Sequence, residues 1–269
     1  MSTKSATKTA ARTAAKRPTK AFSTALLTPQ DQSSPAGALK ALASTLALAS
    51  TLTDKRGPSG HGTWQAVLTG VMLRRTDAGF ELAATDRYVL GALALPYRTR
   101  SKKPVAALLD GSAMADAAKV LRQHPKACSG GGWLPDLHLD GDGLRFLFDG
   151  DEVARIPLLN PSHRAANPLE AWPTTSSITE AAYGSPIGGV HLGETILKRF
   201  RAIMAYSKGI NPAQPPRMHI EGPDGKACTG AGRIRICGVG TGSFGGTVYF
   251  MPLTDGWTYG DDVAESNGS

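Results

Sequence analysis

Hydrophobic residues along this chain follow helical spacing in some segments and strand-like runs in others. Leucine and alanine recur every three or four residues from Ala38 to Leu52, which predicts a helix with one buried stripe. Pro29–Gly37 before it and Lys55–Gly62 after it are typical of loops. Apolar runs predict strands at 21–28, 65–74, 80–85 and 88–95.

The same order of elements recurs further along the chain. Asp110 or Ser112 can cap a second helix that continues through His124. Its apolar side consists of Met114, Ala117, Ala118 and Leu121. Strands are predicted at 134–139, 144–148 and 153–159, with Asp-Gly and Gly-Asp turns between them. After a linker rich in Pro, Ser, Thr and Gly at 160–189, the pattern predicts a short run at 189–192, a helix at 194–207, and strands near 218–221, 234–239 and 247–253.

These elements predict an α+β fold, with antiparallel sheets and helices packed on one side. The chain of 269 residues, 41% of them hydrophobic, is long enough for one large domain or two ordinary ones. We expect the following division: a disordered basic tail at 1–20, a first domain at 21–173, a shorter domain at 174–254 and an acidic tail at 255–269.

Positive charge is concentrated at the start of the chain. The formal net charge is +8, and the first 20 residues hold six Lys or Arg and no acid. Almost no bulky side chain accompanies these cations, so the segment cannot offset its ordering entropy and is expected to be disordered. Three interpretations remain: a solvated tail, an arm that binds phosphates without sequence preference, or an organellar transit peptide.

Several classes of protein are disfavoured. No apolar run approaches the 18 residues of a membrane-spanning helix. Three cysteines without a CxxC pair favour a reduced, cytoplasmic protein over a disulfide scaffold. The six histidines have no metal-ligand spacing. The GxGxxG match at 240–245 precedes a predicted strand, whereas a dinucleotide site needs a helix there. We expect no enzyme activity, no metal and no cofactor.

Basic residues recur on the predicted helices, away from the apolar stripe. One group belongs to the second helix and the segment after it, and the other belongs to the third helix, whose stripe contains Ile196, Phe200, Ile203 and Met204. A solvated surface and a face for a phosphate backbone both explain them. Apart from Phe200, which belongs to the apolar stripe, aromatic residues that could stack bases are not interleaved with them in sequence. The candidate DNA-binding residues are Lys119, Arg122, Lys126, Lys198, Arg199 and Arg201.

Three segments resemble one protein family. Leu68-Thr-Gly-Val-Met-Leu, followed by Phe80-Glu-Leu-Ala-Ala-Thr-Asp-Arg-Tyr-Val-Leu-Gly, resembles the middle domain of the bacterial DNA polymerase III beta-subunit sliding clamp. Arg155-Ile-Pro-Leu-Leu-Asn-Pro through Glu170-Ala-Trp-Pro173 is similar to the end of that domain, and Val248-Tyr-Phe-Met-Pro-Leu253 to the family's terminal run. The last segment is about half a family domain, and Val89 stands where the family prefers Arg.

The resemblance implies a peptide-binding pocket between the middle and last domains. An apolar seam containing Met and Pro suits a short extended peptide. Leu68 and Leu90 are also consistent with simple core positions. The residues that match the family's pocket are Leu68, Thr85, Arg87, Tyr88, Leu90, Pro173, Tyr249, Met251, Pro252 and Leu253.

The function that the resemblance implies is a DNA clamp, or a clamp-derived processivity factor, that holds duplex DNA and docks polymerase-type partners by peptide. The alternative is a clamp-fold adaptor or regulator that binds partner peptides without encircling DNA. An enzyme with an unrecognised site is a third option. The family's six-domain rings imply a homo-oligomer, here of three or four copies, with a DNA-loaded monomer or a dimer that forms no ring as the alternatives. The predicted strand 247–253 is a candidate edge for association.

Overall fold

The computed structural model describes residues 25–30, 37–54, 67–86, 88–128, 133–159, 172, 183–185, 187–190, 193–210, 218–223, 232–236, 244–250 and 257–259. Helices within these residues are α1 Ala38–Thr51, α2 Gly111–Gln123, the single turn α3 Pro125–Cys128, and α4 Glu194–Ile210. The strands are β1 Ala25–Pro29, β2 Gly70–Thr76, β3 Gly79–Thr85, β4 Val89–Leu95, β5 Tyr97–Thr99, β6 Ala106–Asp110, β7 Asp136–Asp140, β8 Gly143–Phe148, β9 Asp151–Pro157, β10 Tyr183–Ser185, β11 Ile187–Val190, β12 Met218–Pro223, β13 Gly232–Ile236, β14 Gly245–Phe250 and β15 Trp257–Tyr259.

The described strands form three sheets. Five strands pair in the order β5-β1-β7-β8-β9, eight in the order β10-β12-β13-β14-β4-β3-β2-β6, and β11 pairs with β15. The strand pairs are antiparallel throughout the described ranges. Together with the helices these sheets confirm the α+β class predicted from the sequence.

Strand β14 lies inside the eight-stranded sheet. It pairs with β13 on one side and with β4 on the other, in register from Gly245 opposite Ala94 to Phe250 opposite Val89. The expectation that this strand is a free edge is therefore wrong, because both of its hydrogen-bonding sides are used. The strands at the edges of this sheet are β6 and β10. The pairing of β4 with β14 joins residues 245–250, near the end of the chain, to the sheet formed by residues 70–110.

Helix α1 lies between two other helices. It packs against α2 and α4, and also contacts β2, β3 and β4. Ten of its 14 residues are buried, and within the helix only Lys40 is exposed. The spacing of leucines predicted one buried stripe, but the intervening alanines are small enough for neighbours to approach from the other sides as well.

Contacts between α4 and the rest of the molecule fix its position. A side chain at Gly209 would place Cβ 2.5 Å from Ser44 Oγ of α1, so glycine allows the two helices to approach closely. The Phe200 ring packs edge-on against Phe250 of β14, with centroids 5.3 Å apart. Helix α4 therefore packs against both α1 and the strand that joins β4.

Most buried apolar residues of the described ranges fall into two clusters. The larger one includes apolar side chains from α1, α2 and α4 and from the sheets. The smaller cluster consists of Val67, Met72, Ala83 and Leu108, with Leu159 and Trp172 packed against it.

Some elements were not predicted from the sequence. Strands β5 and β6 were missed, β10 lies within the predicted linker, and β15 lies within the predicted acidic tail. Strand β11 begins in the predicted linker and overlaps the short run predicted at 189–192. Most of these strands are only three or four residues long, too short to show periodicity. The basic tail 1–20 and the first residues of the predicted strand at 21–28 lie outside the described residues. The domain boundaries remain a prediction.

Candidate functional site

The three long helices carry a net positive charge, unlike the rest of the chain after residue 20. Helices α1, α2 and α4 contain seven Lys or Arg against two acidic residues, Asp116 and Glu194. The rest of the chain after residue 20 contains 17 basic and 20 acidic residues. Because α1 packs against both α2 and α4, these cations belong to one helical layer, which is basic while the remainder is slightly acidic.

Four of the six candidate DNA-binding cations extend from exposed positions of α2 and α4. Lys119 Nζ lies 3.1 Å from Asp116 Oδ1, and Lys198 Nζ lies 2.8 Å from Glu194 Oε1. The two lysines and their two carboxylate partners are each at least 69% exposed. The hydrogen bond from Lys198 lowers the pKa of Glu194. Such exposed pairs are weak, so a phosphate can replace the carboxylate at little cost. No carboxylate of the described residues lies within 4.0 Å of Arg122 or Arg201.

The first turn of α2 is closed by its predicted cap. Asp110 Oδ1 accepts hydrogen bonds from the backbone N–H of Ser112 at 2.8 Å and of Ala113 at 2.9 Å. The sequence named Asp110 and Ser112 as alternatives, and the structure selects Asp110. This cap sets where α2 begins, and the buried side chains of Met114, Ala117, Ala118 and Leu121 leave Lys119 and Arg122 at exposed positions.

Lys126 has a different environment. Its Nζ lies 2.7 Å from Asp149 Oδ2, 4.6 Å from the centroid of Phe148 and 5.6 Å from the centroid of Trp133. The sequence did not indicate an aromatic residue beside Lys126, yet the fold brings two there. Both come from other parts of the chain, so helical spacing could not reveal them.

Arg199 differs from its neighbours on α4 as well. Its Nη2 and Nε lie 3.0 Å and 3.3 Å from Oδ2 of Asp86, at the end of β3. The Arg199 side chain is 16% exposed and that of Asp86 is 6% exposed. Arg199 is thus a candidate cation whose guanidinium is held by a largely buried carboxylate.

Three residues of the expected peptide pocket lie side by side across neighbouring strands. Thr85 of β3 is opposite Leu90 of β4, and Leu90 is opposite Tyr249 of β14. We call these three residues the docking row. A Cβ at Gly91 would contact Leu52, next to α1, so Leu90 points to the other face of the sheet. All three are nearly buried, with exposed fractions of 6–8%.

The other pocket residues have contrasting environments. Tyr88, just before β4, is 52% exposed, whereas Leu68 is fully buried. Leu68 therefore presents no surface to a peptide in this conformation, in agreement with the core position that the sequence left open. The remaining expected pocket residues, Arg87, Pro173, Met251, Pro252 and Leu253, lie outside the described residues.

An open groove of about 590 Å³ extends from the docking row along the strands. Small side chains of Ala92 and Ala94 lie between Tyr249 and the ion pair of Arg74 with Glu81, whose Nη2–Oε1 distance is 2.6 Å. Burial raises the pKa of Tyr249. Sequence reasoning missed the groove, because four different strands (β2, β3, β4 and β14) form it.

The described residues contain no group of three or more His, Cys, Asp or Glu side chains that could hold a metal ion. Nor is any helix among them long and apolar enough to cross a membrane.

The chain is similar in structure to bacterial sliding clamps. The superposition on the DNA polymerase sliding clamp of Bacillus subtilis covers 90% of this chain, with 14% identity and a TM-score of 0.40. Against the DNA polymerase III beta subunit of Thermotoga maritima the coverage is 85%, with 14% identity and a TM-score of 0.45. For the C. crescentus beta sliding clamp, the coverage is 85%, the identity 11% and the TM-score 0.46.

The chain spans 52%, 64% and 65% of the length of these three clamps, respectively. No protein-family model matches the chain, and no curated protein is similar to it in sequence.

Proposed function

We propose that this protein is a clamp-type factor that holds duplex DNA without base readout and docks polymerase-type partners through short peptides. The observation that carries the DNA part is the separation of charge after residue 20: a helical layer with seven cations and two acids, against a slightly acidic remainder. Such a layer attracts the phosphate backbone through counterion release. The proposed activity is non-enzymatic and needs no cofactor.

The proposed phosphate contacts are the cations at exposed positions of the layer. Lys119 and Arg122 lie on α2, Lys198 and Arg201 lie on α4, and Lys40 lies on α1 between them. Contacts from side chains to phosphates position a protein on duplex DNA but carry no sequence information. Lys126 is a weaker candidate, because Asp149 and the Phe148 ring already engage its ammonium group.

Charge reversal on α4 tests the DNA part. Lys198→Glu/Arg201→Glu should weaken duplex binding and lower the slope of log K against log salt by about 2, at roughly 0.9 for each phosphate contact. The matched control is Lys102→Glu/Lys103→Glu, which makes the same charge change at exposed positions outside the helical layer. Fluorescence anisotropy with labelled duplex DNA measures both variants. Equal losses in the two would show that only net charge matters and would contradict the assignment.

The peptide part is supported by the docking row and the groove beside it. Extended peptides bind where a sheet presents apolar pockets next to hydrogen-bonding groups. Tyr88 is the exposed residue nearest the row in sequence, so Tyr88→Ala should weaken binding of a labelled apolar peptide taken from a bacterial replicative polymerase. Leu197→Ala, which removes a side chain of similar exposure (50%) from α4, is the control. Peptide binding without any duplex binding would favour the adaptor function.

We also propose that the protein self-associates through sheet edges. In the described part of the chain the edges are β5 and β9 of one sheet and β6 and β10 of the other. Strand β9 is the longest of these at seven residues, so it offers the most backbone groups for pairing. Light scattering with and without duplex DNA tests this proposal. A mass of three or four copies is expected, and a monomer at high concentration would contradict it.

A further inference from the structure

Asp86 closes the turn that leads from β3 into β4. Its Oδ1 accepts hydrogen bonds from the backbone N–H of Tyr88 at 3.1 Å and of Val89 at 3.0 Å. The backbone N–H of Asp86 in turn donates to the carbonyl of Val89 at 3.2 Å. One carboxylate oxygen is therefore committed to the turn, and the second remains available for a partner elsewhere.

That partner is Arg199, 113 positions further along the chain. Two nitrogens of its guanidinium reach Oδ2 of Asp86, and the two side chains are 16% and 6% exposed. A rigid, planar donor group at this distance fixes the direction of the carboxylate as well as neutralising it. The turn is consequently attached to α4, a helix of the basic layer.

The turn matters because of what it presents. It contains Tyr88, which is 52% exposed, and it leads directly to Leu90 of the docking row. Lys198 and Arg201, on either side of Arg199, point to solvent instead. Neighbouring cations on one helix thus have different surroundings, although their side chains are chemically alike.

We propose that Arg199 is a positioning residue for the peptide-docking turn at Asp86–Val89 and is not a phosphate contact. This inference rests on the proposed function for the meaning of the docking surface. Arg199 holds the carboxylate of Asp86, the carboxylate holds the amides of Tyr88 and Val89, and the position of Tyr88 follows from these contacts. The residue thereby connects the DNA-facing helix to the surface for partners.

Two readouts separate this role from DNA binding. Hydrogen exchange of the Tyr88 and Val89 amides, followed in the full chain, reports on the turn without any ligand. Anisotropy with labelled duplex DNA reports on the helical layer. Arg199→Met removes the guanidinium and keeps a long side chain. Arg201→Met, the same substitution two residues later at an exposed position, is its control.

We expect Arg199→Met to speed exchange of the two amides by at least about tenfold, since it leaves the Asp86 charge buried without its cation. Its duplex affinity should stay within a factor of about two of the original. Arg201→Met should instead weaken duplex binding and leave the exchange of the two amides unchanged. Unchanged amide exchange in Arg199→Met, or a loss of duplex affinity equal to that of Arg201→Met, would overturn the proposal. Absence of duplex binding in the unmodified chain would defeat the proposed function but leave the amide readout valid.

A second variant distinguishes positioning from mere neutralisation of charge. Asp86→Asn/Arg199→Met keeps a carbonyl oxygen for the two amides and removes both charges. It should recover the thermal stability that Arg199→Met loses, yet the amides should still exchange faster than in the unmodified chain, because the attachment to α4 is absent. Full recovery of slow exchange would overturn the positioning role. If Arg199→Met does not fold, Arg199→Lys, which keeps the charge but not the planar donor group, gives the same comparison.

Discussion

The hydroxyl of Tyr206 donates a hydrogen bond of 3.0 Å to the backbone carbonyl of Gly245, which joins the C-terminal half of α4 to the first residue of β14. Thr45 of α1 lies 3.5 Å from the same hydroxyl, and Tyr206 is 2% exposed. A buried tyrosine usually finds a polar partner of this kind. One phenol therefore contacts both the neighbouring helix and the strand that joins the last segment of the chain to β4.

Replacing Tyr206 with Phe should lower the free energy of unfolding by about 1–3 kcal/mol, because the buried carbonyl of Gly245 loses its donor. The shape of the ring is kept, so packing is little changed. Urea denaturation followed by circular dichroism measures the effect. Tyr88→Phe, at an exposed tyrosine, is the control and should leave the midpoint unchanged.

Stability should fall above about pH 10. Burial raises the pKa of Tyr206 and of Tyr97, the latter with a further contribution from the negative charge of Asp136. Above the pKa of about 10 of an unfolded tyrosine, the unfolded chain releases protons that the folded chain retains, so unfolding becomes more favourable as pH rises. Urea midpoints between pH 8 and 11 should show this decline. It should be shallower in Tyr97→Phe/Tyr206→Phe, and an equal slope would contradict the assignment.

Gly246→Ala should destabilise the pairing of β14 with β4. Gly246 has φ of 149°, and an added Cβ would lie 2.4 Å from the carbonyl oxygen of Ala92. We expect a loss of at least about 2 kcal/mol in the free energy of unfolding, from strain and the backbone clash together. Gly150→Ala separates the two causes, since Gly150 also has positive φ, 94°, but no atom within 4 Å of an added Cβ. The glycine at 150 should tolerate the change better.

Asp110→Ala should cost about 0.5–2 kcal/mol, because the amides of Ser112 and Ala113 lose their acceptor. Asp110→Asn keeps a side-chain oxygen and should recover most of the loss. Thermal unfolding of the two variants measures the difference. If both lose the same amount, the charge of Asp110 matters more than its hydrogen bonds.

Elements whose signals are local could be predicted from the sequence. Helix α2 was predicted within one residue at its end and with the correct cap, because Asp110 and the apolar spacing after it lie in one short segment. Strand β5, three residues long, was missed because its pairing with β1 depends on residues about 70 positions away. The burial of α1 was underestimated for the same reason, since α4 lies far away in sequence.

The candidate site shows the same division. Lys198, Arg199 and Arg201 could not be distinguished by sequence, because the carboxylate that engages Arg199 is 113 positions earlier. Thr85, Leu90 and Tyr249 were grouped through a family resemblance, and strand register brings them into one row. The groove next to the row had no sequence signal, since alanine gives none until its neighbours on other strands are known.

The position of β14 inside the large sheet has a consequence for synthesis of the protein on the ribosome. Strand β4 emerges about 150 residues before the strand that pairs with its open side. At ordinary translation rates this interval is roughly 8 to 30 seconds. During that time the nascent chain presents an apolar strand with unpaired backbone groups, a template for pairing with other chains. Nascent chains stalled between residues 95 and 245 should therefore recruit chaperones more strongly than chains stalled after residue 250.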